Sequence, residues 1–336
     1  MKITDRRPGI ETQRSGFTLH IAPFPFNDSA YWSATMKDGT LTESEMQFML
    51  PRLLTQKYIE ETVGAMVDQE AYVSRAEVSI MQQGEKNGIF HVASYGSEGI
   101  KEFVFVAAKG KGLLSDETQE DYRNLDELYK KMKDSGVRPF IPKVYSAVEE
   151  EGLSGFSDEY LGETHTEMIS EENKGLRKVG IPYAGMNMNS SRPDAQEFNT
   201  KQASNFRALL QCVRQEGDML ILSGADFYAS EYHRVNNRIK SAVVARLYVV
   251  NQLTGCVPRE FLINAGDVMV DLGKVDFDPK LITIRGDWKD MQPELFQFWI
   301  RTHQEYIGLM DRDCYPLFDP QCIAEGIEEG KALLGK

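Results

Sequence analysis

A short glycine-containing turn holds the residues of this chain best suited to contact a phosphorylated ligand. It covers residues 82–88, Gln-Gln-Gly-Glu-Lys-Asn-Gly, with Gly84, Lys86 and Asn87 at its centre. Glycine and asparagine tolerate positive φ angles, so this composition is typical of a tight connection between antiparallel strands. Because glycine has no Cβ, the backbone N–H groups of such a turn can lie along a polyphosphate. An ordinary hairpin turn without a ligand is the alternative interpretation.

Other chemical motifs are weak or missing. The four cysteines show no CxxC spacing and the five histidines no HExxH pattern, so a zinc site is not expected. There is no GxSxG elbow and no GxxxxGK[ST] loop, which argues against α/β-hydrolase and P-loop chemistry. Residues 233–237, His-Arg-Val-Asn-Asn, are interpreted as the entry turn of a helix, and residues 190–192, Ser-Ser-Arg, as a solvated loop.

Composition favours a soluble cytoplasmic protein. The 336 residues are 41% hydrophobic and 26% charged, with a net charge of -13. An acidic chain is a poor match for a nucleic-acid backbone, so nucleic acid is not an expected partner. No apolar run reaches the roughly 18 residues of a membrane span, and the first residues lack a signal-peptide core, so no membrane association is expected.

Hydrophobic patterns predict a small β-rich region around the glycine turn. Strands are predicted over residues 78–81, 88–93, 102–108, 140–145 and 155–163. A helix with Ser115 as its N-cap is predicted between the third and fourth strands, and Ser135-Gly136 ends it. The predicted order is therefore strand, glycine turn, strand, strand, helix, strand and strand, which makes a five-stranded sheet with one helix.

The remaining segments suggest two further regions. Residues 1–75 are predicted as a partly helical N-terminal extension, with a strand at 16–21 and a capping box at Thr42–Glu45 that opens a helix, which Pro51 interrupts or restarts. Residues 76–163 form the predicted β-rich lobe. Residues 164–336 form a predicted helical lobe with a polar insertion at 164–199. Helices are expected there near 200–214, 238–253, 293–307 and 319–334, and short strands near 273–287.

Four of these segments resemble, in the same order, motifs of the protein-kinase-like fold, most closely its aminoglycoside phosphotransferase and choline kinase branch. Residues 83–92 resemble the nucleotide loop, and residues 124–145 resemble the αC helix with its following strand. Residues 156–162 are similar to the hinge strand that contacts adenine through its backbone. Residues 273–288 resemble the hairpin that ends in the metal-binding Asp-Trp. The resemblance implies a two-lobed α+β fold with a small antiparallel β-sheet lobe carrying one helix and a mainly α-helical lobe.

The resemblance further implies ATP and Mg²⁺ as cofactors and gives roles to individual residues. The implied nucleotide contacts are Gly84, Lys86, Asn87, Lys109, Glu120, Glu159 and Leu161; the catalytic candidates are Asp267 and Asp271; the metal ligand is Asp287. Lys109 would substitute for the lysine that holds the α- and β-phosphates, with Glu120 or Asp121 as its acidic partner. The alternatives are a solvated lysine at a strand end and acids of a first helical turn.

The chain also departs from that pattern. No lysine occurs in the apolar run 103–106, where the family places it, and no histidine precedes Gly266-Asp267 in the segment that resembles the catalytic loop. Lys274 stands where a metal-binding asparagine would be expected.

The predicted function is an ATP-dependent phosphotransferase that acts on a small molecule in the cleft between the lobes. The alternatives are a catalytically degenerate pseudokinase or ligand-sensing interaction module, and an atypical nucleotidyl transferase that passes on AMP.

Overall fold

The computed structural model describes residues 9–14, 16–24, 39–83, 86–160, 225–258, 268–272, 279–284, 291–301 and 320–335. The chain forms two compact units. The first comprises Met1–Asp126 and Lys143–Tyr160, and the second comprises Glu127–Pro142 and Leu161–Lys336.

A seven-stranded sheet organises the first unit. Its strands are β1 (Ile10–Arg14), β2 (Phe17–Ile21), β3 (Val73–Gln83), β4 (Asn87–Gly96), β5 (Gly99–Ala108), β6 (Val144–Glu150) and β7 (Leu153–Glu159). They lie in the order β1-β2-β3-β4-β5-β7-β6. All neighbours are antiparallel except β2 and β3, which run parallel. A mostly antiparallel sheet beside separate helices is an α+β architecture, which confirms the predicted fold class at that level.

The predicted order of elements around the glycine turn is confirmed. Strands β3, β4 and β5 are followed by helix α3 (Leu113–Asp134) and then by β6 and β7. The sheet itself was predicted too small, because the hairpin β1–β2 extends it beyond five strands, with Ile21 opposite Val78. Helix α3 starts before Ser115, so Ser115 is not its N-cap. Its hydroxyl instead lies 2.6 Å from that of Ser154 in the interior.

Two short helices cover one face of the sheet. Helix α1 (Glu43–Leu53) opens with the predicted capping box, in which the Glu45 N–H donates to Thr42 Oγ1 and the Thr42 N–H to Glu45 Oε2. Helix α2 (Gln56–Val67) follows after Thr55. The predicted break lies slightly later than Pro51, because α1 continues through Pro51 to Leu53 and the chain restarts as α2 at Gln56. The proline removes one N–H donor in the last turn, which the helix tolerates two residues before its end.

Residues 103–108 of β5 and residues 153–157 of β7 are buried on both faces of the sheet. On one face Phe105 packs edge-on against Tyr58 of α2, with ring centres 5.7 Å apart. On the other face Phe156 of β7 packs against Tyr122 of α3 at 5.9 Å. An apolar strand buried on both sides explains why residues 103–108 lack the alternation of a half-exposed strand.

Buried hydroxyl groups join α2 to the strands β6 and β7. The Thr62 hydroxyl lies 2.6 Å from that of Ser146 and 3.1 Å from that of Ser157. The Tyr58 hydroxyl donates to the Ser146 carbonyl oxygen over 3.1 Å. Because each of these polar groups has a partner, the cluster can be buried without a large desolvation penalty.

Burial of Tyr58 makes the stability of this unit sensitive to alkaline pH. Desolvation raises the pKa of Tyr58 from 10.0 to about 12. Between these values the unfolded chain has lost the proton that the folded chain retains, so the stabilisation is complete below pH 10 and is lost as pH rises towards 12. We expect the native chain to lose roughly 2–3 kcal/mol over that range through this group, and Tyr58→Phe to lose less.

Urea unfolding at several pH values from about pH 8 to about pH 11 measures this difference. Tyr72→Phe is the matched control, because Tyr72 is 53% exposed. Parallel stability curves for the native chain and Tyr58→Phe would contradict the assignment.

The second unit contains two long helices that pack closely against each other. Helix α4 (Ala225–Thr254) and helix α5 (Pro320–Leu333) meet at Gly326, where a Cβ atom would lie 2.5 Å from the Ser241 carbonyl oxygen. Residues 296–301 are also helical. Four strands form two antiparallel pairs, β9 with β10 and β8 with β11. Their bounds are β8 (Cys256–Pro258), β9 (Val268–Leu272), β10 (Pro279–Ile284) and β11 (Met291–Pro293).

Helix α4 begins at Ala225, earlier than the predicted start near residue 238. Residues 233–237 lie inside it, so their interpretation as an entry turn was wrong. The predicted insertion at 164–199 and the helix near 200–214 lie outside the described residues. Across the parts of the chain that are described, no helix is both long and apolar enough to span a membrane.

Candidate functional site

One end of strands β4 and β5 brings several of the predicted nucleotide-binding residues together. Asn87, the first residue of β4, pairs with Ala108, the last residue of β5. The Lys109 N–H then donates to the Lys86 carbonyl oxygen over 2.8 Å. Helix α3 contributes Glu117 and Thr118 to the same place. We call Lys86, Asn87, Lys109, Glu117 and Thr118 the strand-end cluster.

Side chains of α3 fix the residues of the glycine turn. The Glu117 carboxylate lies 2.8 Å from the Lys86 ammonium. The Thr118 hydroxyl donates to Asn87 Oδ1 over 2.7 Å. Both ends of the ion pair are about one-third exposed, so solvent screening limits its contribution to at most about 1 kcal/mol. The pair therefore positions Lys86 more than it stabilises the fold.

Lys109 is buried, with 1% of its surface exposed. Its carbonyl oxygen accepts the Leu41 N–H over 2.6 Å, and Gly110 forms a bridge with Thr40, so the segment before α1 covers it. The alternative of a solvated strand-end lysine was therefore wrong. Among the described residues Lys109 is the single fully buried lysine or arginine, and such burial of an ammonium is rare in proteins.

Helix α3 presents a buried stripe formed by Thr118, Asp121, Leu125, Leu128 and Met132. The spacing of three and four residues is that of one helix face. Of the two acids considered as partners for Lys109, Asp121 lies in this stripe, whereas Glu120 is exposed. Thr118 and Glu117 were not selected from the sequence, although the stripe spacing would have indicated Thr118.

Glu159 lies at the far end of β5 from the strand-end cluster. It pairs with Phe103, which is six residues from Lys109, so about 20 Å separates the two predicted contacts along the strand. The Glu159 N–H already donates to the Lys143 carbonyl oxygen over 2.8 Å. A nucleotide that used both places would have to lie extended along β5.

The other predicted site residues belong to the second unit or lie outside the described residues. Asp271 is in β9, where it pairs with Leu281. Strand β9 begins at Val268, directly after Asp267. Gly84, Leu161, Asp267 and Asp287 are outside the described residues. Within the described part of the chain, no three or more His, Cys, Asp or Glu residues are grouped as metal ligands would be.

Comparison with known proteins adds no family to these observations. No protein-family model matches the chain, and a search of curated proteins finds no significant match.

Proposed function

We propose that this chain is an ATP-binding, kinase-like phosphotransferase that acts on a small molecule. One observation carries the proposal: Lys86 and Asn87 of the glycine turn lie beside Lys109 and against the first turns of α3. The kinase resemblance implies this combination of nucleotide loop, strand-borne lysine and helix. Two lysines that neighbour each other at the ends of β4 and β5 also offer positive charge for a triphosphate within an otherwise acidic chain.

In this proposal the triphosphate lies at the strand-end cluster and the base towards Glu159. Lys109 neutralises the α- and β-phosphates, and Lys86 exchanges its contact with Glu117 for a contact with phosphate. The N–H groups around Gly84 and Asn87 donate to phosphate oxygens. Leu161 then offers its backbone to the base, as the resemblance implies.

Catalysis is assigned to carboxylates of the second unit on the resemblance alone. Asp287 would hold Mg²⁺, which would supply positive charge to offset the phosphate charge in the transition state. Asp267 would orient the acceptor hydroxyl and accept its proton while the γ-phosphoryl group moves to that oxygen.

Release of γ-phosphate from ATP, measured in the presence of magnesium, tests the proposal. Slow hydrolysis is expected from the native chain, because water can replace the missing acceptor. Asp287→Asn and Asp267→Asn are each expected to lower the rate by about 100-fold. Asp134→Asn changes an exposed acid at the end of α3 and should leave the rate unchanged. Equal rates in the native chain and the two site variants would contradict an enzymatic role.

A nucleotide-binding module without phosphoryl transfer is the second candidate. The observation that favours it is β9: Asp271, one of the two catalytic candidates, belongs to a paired strand rather than to a loop. Retained ATP binding together with equal hydrolysis by native and variant chains would select this function.

A further inference from the structure

A cavity of the first unit lies apart from the strand-end cluster, beside the hairpin β1–β2. Its volume is about 500 Å³, within the range of sites that hold small organic ligands. The sheet side and the helix α1–α2 side each contribute walls, and no member of the strand-end cluster lines it.

The sheet wall consists of two cross-strand pairs. Thr12 faces Leu19, and Arg14 faces Phe17, in the β1–β2 register. Directly opposite residues of an antiparallel pair share one face of the sheet, so Thr12 and Arg14 lie on the same face as Leu19 and Phe17. Leu19 is 2% exposed and Phe17 is 6% exposed, which makes this face apolar at its base.

The helix wall continues the apolar base and adds polar groups at the rim. Pro51 and Leu54 line the cavity from the end of α1, and Leu54 is fully buried. Glu60 of α2 also lines it, but its Oε1 accepts from Gln56 Nε2 over 3.0 Å and from the Val73 N–H over 3.1 Å. The carboxylate therefore already has two donors.

The two cationic side chains that line the cavity, Lys57 and Arg14, have fewer close partners than the Glu60 carboxylate. Lys57 is highly exposed and lies 3.6 Å from Glu61 of the next turn. For Arg14 no acidic side chain of the described residues lies within ion-pair distance. The cavity therefore combines an apolar base with a guanidinium group whose N–H donors form no ion pair with an acidic side chain of the described residues.

We propose that this cavity binds a small amphipathic carboxylate, with its apolar part on Phe17, Leu19 and Leu54 and its carboxylate on Arg14. A guanidinium group matches a carboxylate through two parallel hydrogen bonds, which favours this head group. The apolar base adds binding free energy in proportion to the area that it removes from water. The site is independent of the proposed function, because it shares no residue with the nucleotide contacts.

Arg14 also has an alternative role that involves no ligand. Strand β1 is an edge of the sheet, and an inward-facing charge on an edge strand discourages pairing with another chain. In that case Arg14 binds nothing, and the cavity is a gap between the helix layer and the edge.

Calorimetric titration with decanoate tests the site, and two ligands with the same chain length serve as controls. Decanol lacks the charge, and decyltrimethylammonium reverses it. Decanoate is expected to bind about fivefold or more tightly than either control, which is the effect of one partly solvated charged contact. No decanoate binding, or equal binding of all three ligands, would overturn the proposal.

Two substitutions locate the binding. Arg14→Gln is expected to weaken decanoate by about fivefold and to leave decanol unchanged, whereas Arg123→Gln, at an exposed arginine of α3, should change neither. Thr12→Phe is expected to weaken decanoate binding, because the added ring occupies space beside Leu19 where the apolar part of the ligand would lie, and phenylalanine suits a strand position. To show that Thr12→Phe is folded, its circular dichroism spectrum and melting temperature are first compared with those of the native chain. Decanoate affinity unchanged in folded Arg14→Gln and Thr12→Phe would overturn the assignment.

Discussion

Replacing Lys109 with methionine is expected to weaken the binding of magnesium ATP by about 10- to 100-fold. A charge-assisted hydrogen bond to phosphate contributes roughly 1.5–3 kcal/mol, and methionine removes it while filling a similar volume. The side chain is buried directly after β5, so its position is fixed by the fold before the nucleotide binds. Calorimetric titration with the nucleotide measures the change.

Two further variants separate a role in binding from a role in folding. Lys133→Met removes an exposed lysine at the end of α3 and should bind like the native chain. Lys86→Met loses a partly exposed side chain whose ion pair adds little stability, so the chain should remain folded and bind more weakly, by about tenfold. Native affinity in folded Lys109→Met and Lys86→Met would remove the phosphate site from the strand-end cluster.

Gly96→Ala is expected to destabilise the first unit by about 3 kcal/mol. Gly96 ends β4 opposite Val73, and a Cβ atom there would lie 1.9 Å from the Tyr72 carbonyl oxygen. The clashing atom belongs to the backbone, so the clash is relieved only if β3 and β4 move apart. Such a movement costs more free energy than the rearrangement of a side chain. Urea unfolding gives the free-energy difference.

Gly99→Ala is the matched control at the other end of the same two-residue turn. Gly99 has a φ of +74°, and no atom lies within 4 Å of its Cβ position. Its replacement therefore adds only backbone strain of about 1–2 kcal/mol. Equal losses for the two variants would contradict the close approach of β3 and β4 at Gly96.

The local elements of the first unit were predictable because their signals lie within a few residues. The glycine turn, the apolar run of β5 and the helical spacing of α3 each determine an element without distant contacts. The parallel pairing of β2 with β3 was not predictable, because it joins Ile21 to Val78 across two intervening helices. Pairing of distant strands depends on the packed core rather than on local sequence.

The candidate site was predictable to a smaller extent. The turn residues Lys86 and Asn87 were selected because of glycine chemistry, and the structure places them beside Lys109. The burial of Lys109 was not predictable from strand alternation, because it depends on Leu41, which donates to its carbonyl oxygen from a segment far away in sequence. The contact of Glu117 with Lys86 was not predictable either, because it joins α3 to a turn that precedes α3 by two strands.

The central claim is that the strand-end cluster holds the phosphates of a nucleotide. The most direct measurement is labelling with an acyl phosphate of ATP, which transfers its acyl group to a lysine amine near the bound phosphates, followed by peptide mass spectrometry. We predict acylation of Lys86, the partly exposed lysine of the cluster, that excess magnesium ATP suppresses. Labelling confined to exposed lysines such as Lys57 and Lys133, and unaffected by magnesium ATP, would contradict the claim.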